Sequence, residues 1–336
     1  MKISVAILNY NGKSWLDKFL QIAIDKSPEA EVIVIDNAST DDSVAFLQNN
    51  FPNIRLIQND TNHGFAGGYN QGLKHIQSDY YILLNSDIEV TDNWIKPVIE
   101  SIESDENTVA GQPKILAYNN KTHFEHAGAA GGFIDHLGYP FCRGRIFTET
   151  EEDLGQHDTR REVFWATGAC LFIKADKFWE VGGLDEAFFA HMEEIDMCWR
   201  LQNKGYKIIC EPASHIYHVG GGTLDYRNPR KTYLNFRNSL YTIHKNKKGP
   251  VFFIIFQRLI LDGVAALKFL FSGDFKHIVS ILKAHIHYYK HISVLKKQRA
   301  EIVKRDFKTL TGVLAGSIVF QHFIKKIKEF SKLNFN

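Results

Sequence analysis

Cysteine, methionine and proline are scarce in this sequence of 336 residues, with 4, 3 and 8 copies respectively. The cysteines form no C-x-x-C pair and no short metal-type spacing; they are Cys142, Cys170, Cys198 and Cys210. Disulfide frameworks and thiolate metal sites depend on such spacings. We therefore expect reduced, mostly buried thiols in a cytosolic protein.

Long apolar runs are also missing. No uninterrupted run reaches the ~18 residues that would indicate a membrane-spanning helix. The first residues lack the pattern of a secretory signal, because Lys2 precedes a short strand-like run and then the polar Asn9-Tyr10-Asn11-Gly12. We therefore expect neither a signal peptide nor a spanning segment.

The formal net charge of +2 conceals an uneven distribution. From Lys245 onward there are 18 Lys and Arg against 5 Asp and Glu, a net of +13, which leaves a net of −11 in the preceding part. A chain of this length also exceeds what one hydrophobic core usually serves. We expect a globular domain over residues 1–245 and a basic region over 246–336 with a different partner.

Strand and helix patterns alternate through the first part of the chain. Apolar runs suited to buried strands span residues 3–8, 31–35, 54–57 and 80–84. Apolar residues recur at helical spacing from Trp15 to Ala23, Ser39-Thr40-Asp41-Asp42 supplies N-cap chemistry for a second helix, and residues 72–77 are assigned to a third. This order predicts an α/β fold, with a parallel sheet covered by helices on both faces.

Polar residues end three of the predicted strands. Asn9 follows the first, Asp36 the second, and Asn85-Ser86-Asp87 the fourth. Ligands of open α/β sheets bind beyond the carboxyl ends of the strands, so these residues should gather at a nucleotide-sized site. Asp87 could there hold a cation or a cation-bound phosphate, although an Asx turn into the next helix would also explain it.

A glycine-rich stretch, Asn62 to Gly72, lies between the third and fourth predicted strands. Its glycines would let backbone amides approach a ligand at a helix N-terminus, and a surface loop is the alternative. The G-x-G-x-x-G of a dinucleotide-binding domain does not follow the first strand, where Asn9-Tyr10-Asn11-Gly12 stands instead. A Rossmann dinucleotide site is therefore disfavoured.

Taken together, four motifs resemble the family 2 glycosyltransferases in order and spacing: Asn9-Tyr10-Asn11, residues 36–41, residues 62–70 and Asn85-Ser86-Asp87. That family comprises inverting enzymes of the GT-A fold, and the likeness over residues 1–245 is to its rhamnosyltransferase-like branch. The resemblance implies a mostly parallel GT-A sheet flanked by helices, with a C-terminal helical appendage. The nucleotide-sugar donor would contact Asn9, Tyr10, Asn11, Asp36, Ser39, Asn62, Gly64, Phe65, Gly67, Asn70, Asn85, Ser86, Gly168 and Ala169.

Gly168 and Ala169 enter this set through the segment 165–170, which is similar to the family's strand and turn that pass under the donor sugar. A Gly-Ala pair lets the backbone come close to a sugar ring. A plain buried strand is the alternative.

Three carboxylates, Glu193, Glu194 and Asp196, open a predicted helix that ends at Gly205. Acids in a first helical turn are favoured by the macrodipole, so capping is the ordinary explanation. The resemblance implies instead that one carboxylate takes the proton of the acceptor hydroxyl. The family's Glu-Asp pair corresponds to Glu193-Glu194, which assigns Glu194 as the base and Asp196 to orienting the helix or a neighbouring arginine. Because Glu replaces Asp, the choice between Glu193 and Glu194 stays open.

His218 ends a predicted strand just before the glycines 220–222. The family often has a histidine there, close to the metal or the pyrophosphate, although a polar strand terminus is the ordinary explanation. With Asp87 it makes up the expected site for a divalent cation, Mg²⁺ or Mn²⁺. Asn85 stands where many relatives carry Asp, so the cation affinity is expected to be modest.

The stretch from Val251 to Phe271 is strongly apolar but carries Gln257, Arg258, Asp262 and Lys268. At ~100° per residue these polar side chains fall within about 140°, which leaves a broad apolar face. That pattern is typical of a helix lying in a membrane interface, where the lysines and histidines of residues 276–308 would meet anionic headgroups. A helical hairpin packed on the catalytic domain is the alternative.

The sequence therefore predicts an inverting transferase that moves a sugar from a dTDP- or UDP-sugar to a hydroxyl of a glycan or lipid-linked acceptor. We expect it to serve cell-surface polysaccharide synthesis at the cytoplasmic face of a membrane. A nucleotide-sugar binding protein would need no Glu193-Glu194 region, and a metal-dependent phosphohydrolase would need more clustered ligands than Asp87. Nucleic-acid binding is disfavoured, because the basic charge accompanies an apolar helix.

Overall fold

Helices and strands alternate at the start of the chain, and three helices follow one another near its end. The structure, a computed structural model, describes residues 1–220 and 228–335. The helices are α1 (Lys13–Asp25), α2 (Ser43–Asn50), α3 (Gly64–Leu73), α4 (Lys96–Glu103), α5 (Ala175–Glu180), α6 (Glu193–Lys204), α7 (Pro229–Asn246), α8 (Phe252–Phe271) and α9 (Phe275–Glu301). The strands are β1 (Ile3–Asn9), β2 (Glu31–Asp36), β3 (Arg55–Gln58), β4 (Tyr80–Asn85), β5 (Ile88–Val90), β6 (Thr108–Ala117), β7 (Asn120–Phe124), β8 (Gly132–Asp135), β9 (Pro140–Cys142), β10 (Arg145–Ile146), β11 (Glu149–Thr150), β12 (Arg161–Val163), β13 (Cys170–Lys174), β14 (Lys207–His218) and β15 (Val313–Leu314).

The larger sheet has the strand order β12-β14-β6-β13-β4-β1-β2-β3, with β5 beside β14 and β7 beside β6. Strand β1 pairs in parallel with β2 and β4, and β2 with β3, which confirms the predicted parallel arrangement of the first four strands. Strands β5, β7, β12 and β13 run antiparallel to their neighbours. Strands β6 and β14 also pair in parallel. The sheet as a whole is therefore mixed, with parallel pairs among β1 to β4 and between β6 and β14.

Helices cover both faces of this sheet because the central strands are apolar on both sides. In β1, Val5 and Ile7 belong to a buried cluster that includes Leu16 and Leu20 of α1, whereas Ala6 belongs to a cluster on the other face with Tyr69 of α3. Successive strand residues point to opposite faces, so one strand serves two cores. The helix expected from Trp15 to Ala23 is confirmed in α1.

Helix α3 departs from the prediction, since the glycine-rich stretch is itself the helix and residues 74–77 are not helical. A Cβ added at Gly72 would lie 2.6 Å from Ile35 Cγ2, and one at Gly68 would lie 2.9 Å from Leu8 Cδ1. Glycine lowers helix propensity, but here it lets α3 lie against the sheet more closely than any side chain would permit. Tertiary packing therefore outweighs local propensity.

A second, five-stranded sheet in the order β11-β10-β9-β8-β15 lies beside the first and was not foreseen. Its edge strand β15 comes from the last part of the chain, where Ile318 N also donates to Asp135 Oδ2 at 3.0 Å. Phe330 packs with Phe133 and Phe141 of this sheet. Residues 302–335 thus return to the first part of the chain, while the division at residue 245 stays a prediction.

Helices α8 and α9, called here the helical hairpin, pack against α7 and each other. Two of the four polar residues of α8 face inward: Arg258 donates to Leu137 O at 3.0 Å and to Ser239 Oγ at 2.6 Å, and Asp262 lies 2.9 Å from His285 Nε2. Gln257 and Lys268 are exposed. The outward side is apolar, with exposed Phe252, Phe253, Phe256, Ile260, Val264, Leu267, Leu270 and Phe271 in α8 and Phe275, Val279, Leu282, Ile286 and Tyr289 in α9. The helical hairpin thus packs on the rest of the protein, as the alternative interpretation expects. Its apolar face nevertheless points away from the residues that it packs against.

Within residues 1–220 and 228–335, no helix combines the length and the apolar character needed to cross a membrane. The four cysteines are buried and unpaired, as expected.

Candidate active site

The ends of β1 and β2 carry a closed network of polar side chains. Asn9 and Asp36 are paired in register, and Asn9 Nδ2 donates to Asp36 Oδ1 at 3.0 Å and to Ser39 Oγ at 3.1 Å. The Ser39 hydroxyl donates to Asp36 Oδ1 at 2.6 Å, and Asn11 N donates to Ser39 Oγ at 2.9 Å. The buried Asn9 Oδ1 has no partner among the residues that the structure describes, and Tyr10 is 43% exposed. The structure thus gathers these five predicted residues at one edge of the sheet.

The neighbouring loops are held by Asn37 rather than by the predicted residues alone. Asn37 Nδ2 donates to Asn62 Oδ1 and to Gly64 O, both at 3.0 Å. Gly67 lies within α3, where an added Cβ would meet His63 Cβ at 2.8 Å. Asn70 Nδ2 donates to Leu184 O at 2.7 Å, and Asn70 Oδ1 accepts from Leu184 N at 3.0 Å. Gly67 and Asn70 therefore serve packing within the fold, and a direct role in donor binding stays a prediction.

The turn after β4 brings Asp87 to His218 at the end of β14. His218 Nε2 lies 3.2 Å from Asp87 Oδ1 and 3.4 Å from Asn85 Nδ2, while His218 Nδ1 lies 3.1 Å from Glu125 Oε2. Burial lowers the pKa of His218, but the carboxylates of Asp87 and Glu125 outweigh that effect and raise it to about 10. Ser86 occupies the same turn, and the glycines 221–222 lie outside the described residues.

Glu125 was missed by the sequence reasoning, because it lies on a segment with no motif of its own. Its carboxylate is buried beside His218, and this neighbour lowers its pKa even though burial raises it. A carboxylate beside one ring nitrogen of a histidine can orient the ring so that the other nitrogen binds a metal. Glu125, in ion-pair contact with His218 Nδ1, lies where it could orient Nε2 in this way.

The Asp87–His218 pair fits a divalent cation that is shared with a phosphate-bearing ligand. Asp87 Oδ1 and His218 Nε2 lie 3.2 Å apart, and both side chains are buried at the edge of the sheet. A cation bound between them would replace the proton that His218 otherwise carries. Mg²⁺ is commonly held by one or two carboxylates plus substrate phosphates rather than by a complete protein cage. Across the described parts of the chain, no group of three or more His, Cys, Asp or Glu forms such a cage.

Glu193 and Glu194 begin α6 next to the turn that precedes β13. A Cβ added at Gly168 would lie 3.1 Å from the Phe65 ring and 3.8 Å from Glu194 Cβ, so a larger residue there would require the Phe65 ring to move by a few tenths of an ångström. Ala169 O in turn accepts from Asn85 N at 2.9 Å. These contacts connect the carboxylates of α6 to the end of β4, as the predicted site requires.

Burial raises the pKa of both carboxyls. For Glu194 it reaches about 7, with backbone amides, that of Gly168 among them, opposing the rise. For Glu193, burial and then the Glu194 charge raise the pKa well above 4.5. Oε2 of each is closed to water and has no partner among the described residues, but only Glu194 keeps partial exposure. Glu194, the more exposed of the two side chains, is thus able to hold or release a proton near neutral pH.

Asp196 has a different environment. Its Oδ1 lies 2.9 Å from Lys245 Nζ and accepts from Asn246 Nδ2 at 2.7 Å, and its Oδ2 accepts from Arg200 Nε at 2.9 Å. Burial raises its pKa, but Lys245 and Arg200 outweigh this and lower it. A carboxylate enclosed by such partners binds α6 to α7, in agreement with an orienting role.

The family model described as "Glycosyl transferase family 2" matches residues 4–182, more than half of the chain. The chain belongs to glycosyl transferase family 2. Two curated members resemble it over much of their length. The low-salt glycan biosynthesis hexosyltransferase Agl10 of Haloferax volcanii is 24% identical over 293 residues, covering 85% of this chain and 90% of the relative. The N-acetylglucosaminyl-diphospho-decaprenol L-rhamnosyltransferase of Mycobacterium tuberculosis is 23% identical over 232 residues, covering 64% and 75%. These names confirm the likeness to the rhamnosyltransferase-like branch.

Solved structures support the fold of this family 2 glycosyltransferase. GalNAc-T7 with UDP, GalNAc and Mn²⁺ superposes with a TM-score of 0.64 at 16% identity, over 97% of this chain, which spans 57% of that protein. The mannosyltransferase PcManGT of Pyrobaculum calidifontis, solved with GDP-Man and Mn²⁺, gives a TM-score of 0.52 at 14% identity, over 89% and 84%. The expected GT-A fold is confirmed.

Proposed function

We propose that this glycosyltransferase transfers a sugar with inversion from a nucleoside-diphosphate donor, a dTDP- or UDP-sugar, to a hydroxyl of a lipid-linked glycan acceptor. The observation that carries the proposal is the partly exposed Glu194, with a pKa near 7, on the same sheet edge as Asp87 and His218. The relatives named for glycan biosynthesis and for a diphospho-decaprenol acceptor favour a role in cell-surface polysaccharide synthesis.

The chemistry is a single displacement at the anomeric carbon. Glu194 accepts the proton of the acceptor hydroxyl, whose oxygen bonds to that carbon while the bond to the diphosphate breaks on the opposite face. A divalent cation, Mg²⁺ or Mn²⁺, held by Asp87 and His218 would supply positive charge to the leaving diphosphate. Asn9, Asp36 and the neighbouring polar side chains orient the nucleotide.

The test is nucleoside diphosphate release by the purified protein from a panel of nucleotide sugars, with and without lipid-linked acceptors. Glu194→Gln keeps the shape of the side chain and removes the base, so kcat should fall ~10²-fold or more with the donor KM little changed. Glu193→Gln is the matched control, because it alters the neighbouring carboxyl. A larger loss in Glu193→Gln than in Glu194→Gln would assign the base to Glu193.

The helical hairpin completes the proposal as the surface that meets the membrane. Its outward apolar residues could enter the acyl boundary of a bilayer, each contributing roughly 1 kcal/mol or more. Exposed lysines, among them Lys268, Lys276, Lys283 and Lys290, would meet anionic headgroups at about 1 kcal/mol each. A peripheral position on the cytoplasmic face would bring Glu194 to an acceptor that is itself anchored in lipid.

Co-sedimentation with vesicles of phosphatidylglycerol and phosphatidylcholine tests this surface. The variant Phe256→Ser/Ile260→Ser/Leu267→Ser should lose most of its binding, whereas Leu154→Ser/Val303→Ser, which alters exposed apolar residues elsewhere, should not. High salt should weaken but not abolish binding, since only the electrostatic part is screened over ~10 Å at 0.1 M. Absence of vesicle binding together with self-association that the first variant abolishes would assign the face to a second copy.

A further inference from the structure

The turn that leads into α6 has an unusual backbone. Phe189, His191 and Met192 all have positive φ, at 65°, 69° and 73°, and none of them is glycine. Such conformations cost about 1–3 kcal/mol each and persist only where surrounding contacts enforce them. Since Glu193 and Glu194 follow directly, the direction in which they point depends on what holds this turn, defined here as residues 188–192.

A single side chain of α7 provides most of the hold. Asn238 Nδ2 donates to Phe188 O at 3.0 Å, to Ala190 O at 2.9 Å and to His191 O at 2.7 Å. Asn238 is fully buried, so these three carbonyls share the two hydrogens of one amide away from water. On its other side, the turn is joined to α3, where Phe65 N donates to Phe189 O at 2.6 Å.

The amide has one orientation because its oxygen is also bonded. Arg237 Nε donates to Asn238 Oδ1 at 2.8 Å, which leaves the NH₂ group directed at the turn. Arg237 Nη2 adds bonds to Ala187 O at 2.8 Å and to Phe188 O at 3.0 Å. Together the two side chains donate to four of the five backbone carbonyls from Ala187 to His191. These carbonyls lie in a turn outside any α-helix or sheet ladder.

We propose that Asn238, oriented by Arg237, is a positioning residue that holds the turn of residues 188–192 so that Glu194 faces the acceptor hydroxyl. The inference rests on the proposed function, in which Glu194 is the base. An asparagine with a general structural role would be expected to divide its hydrogen bonds among several neighbouring segments. Asn238 instead directs its whole donor capacity to the one strained segment that joins the Phe65 side of the donor edge to the catalytic carboxylates.

The test compares Asn238→Ala with Asn203→Ala, an equally buried asparagine near the other end of α6 that donates to Asn246 O at 3.2 Å. With the turn released, kcat of Asn238→Ala should fall at least 10-fold with the donor KM within about 2-fold. The acid limb of the kcat–pH profile should move to lower pH, because water reaches Glu194. Hydrogen exchange of the peptide over residues 186–196 should quicken. Asn203→Ala should lower the melting temperature and change none of these readouts.

Several outcomes would overturn the inference: an unchanged kcat and pH profile in folded Asn238→Ala, a rise in KM alone, or the same profile in Asn203→Ala. If Asn238→Ala does not fold, Arg237→Met carries the test, since it removes the group that orients the amide, and unchanged exchange and kcat there refute the role. Glu194→Gln separates the two proposals. Full activity of Glu194→Gln refutes the base, whereas an inactive Glu194→Gln beside a wild-type-like Asn238→Ala refutes only the positioning role.

Discussion

Replacing Glu194 by glutamine should stabilise the protein at alkaline pH while it removes activity. Burial raises the pKa of Glu194 from 4.5 to about 7, so the folded protein binds a proton more readily than the unfolded chain. The stability that comes from this proton is present in full below 4.5 and is lost as the pH rises through about 7. Glutamine is neutral at every pH, so the variant does not undergo this loss.

The size of the effect follows from the pKa difference. The difference between 4.5 and about 7 corresponds to about 3.5 kcal/mol at about 1.4 kcal/mol per pH unit, and partial exposure of the side chain reduces the expected gain to roughly 2 kcal/mol. For a chain of this length, that gain raises the melting temperature by about 3 °C. Thermal unfolding followed by circular dichroism should show the difference at pH 8.5 and none near pH 4.5.

Asp196→Asn provides the control of opposite sign on the same helix. Lys245 and Arg200 outweigh burial and lower the pKa of Asp196, so its stabilising contribution is present above 3.8 and is lost as the pH falls. Removing that charge leaves the buried Lys245 with Asp185 as its remaining carboxylate and should destabilise the protein at pH 8.5 by about 3 kcal/mol. A melting temperature of Glu194→Gln that is equal to or below that of the wild type at pH 8.5 would refute the reasoning.

Two further predictions concern the cation and the packing of α3. Mn²⁺ should raise the melting temperature of the wild-type protein in the presence of a nucleoside diphosphate, and Asp87→Ala should lose this rise while it stays folded; an equal rise in both proteins would remove Asp87 from the site. Gly72→Ala should destabilise the protein by about 1–3 kcal/mol, because its Cβ would meet Ile35, whereas Gly263→Ala, in a helix position with nothing within 4 Å, should stabilise it by up to ~1 kcal/mol. Urea unfolding of both glycine variants checks the sign, and equal effects would contradict the packing argument.

The strand-end residues could be predicted from the sequence because a buried strand appears as a short continuous run of apolar residues. A buried run such as residues 80–84 must be followed by a polar turn, and parallel strands gather those turns at one edge. Helix α3 could not be predicted in this way, since its glycines lower helix propensity and only Ile35, distant in sequence, explains them. Glu125 and Asn238 act through partners about 50 to 90 residues away along the chain, a separation that no local pattern reveals.

The orientation of α8 could be predicted only in part. The apolar face is visible in the periodicity, but the pattern does not say which face turns inward. Arg258 and Asp262 can be buried because Leu137 O, Ser239 and His285 satisfy them. Those partners come from two other regions of the fold, so the inward polar face depends on tertiary contacts alone.

The path of the chain through the helical hairpin has a topological consequence. Arg299 near the end of α9 donates to His244 O at 2.7 Å and to Gly249 O at 2.6 Å, so the entry and exit of the hairpin lie side by side. Beyond the exit, β15 rejoins the second sheet. The hairpin is therefore an insertion in a continuous scaffold, and its tip between α8 and α9 can lengthen or shorten without changing the register of β15. Truncation before the hairpin would remove an edge strand as well, so an internal deletion that joins the two ends is the cleaner way to excise it.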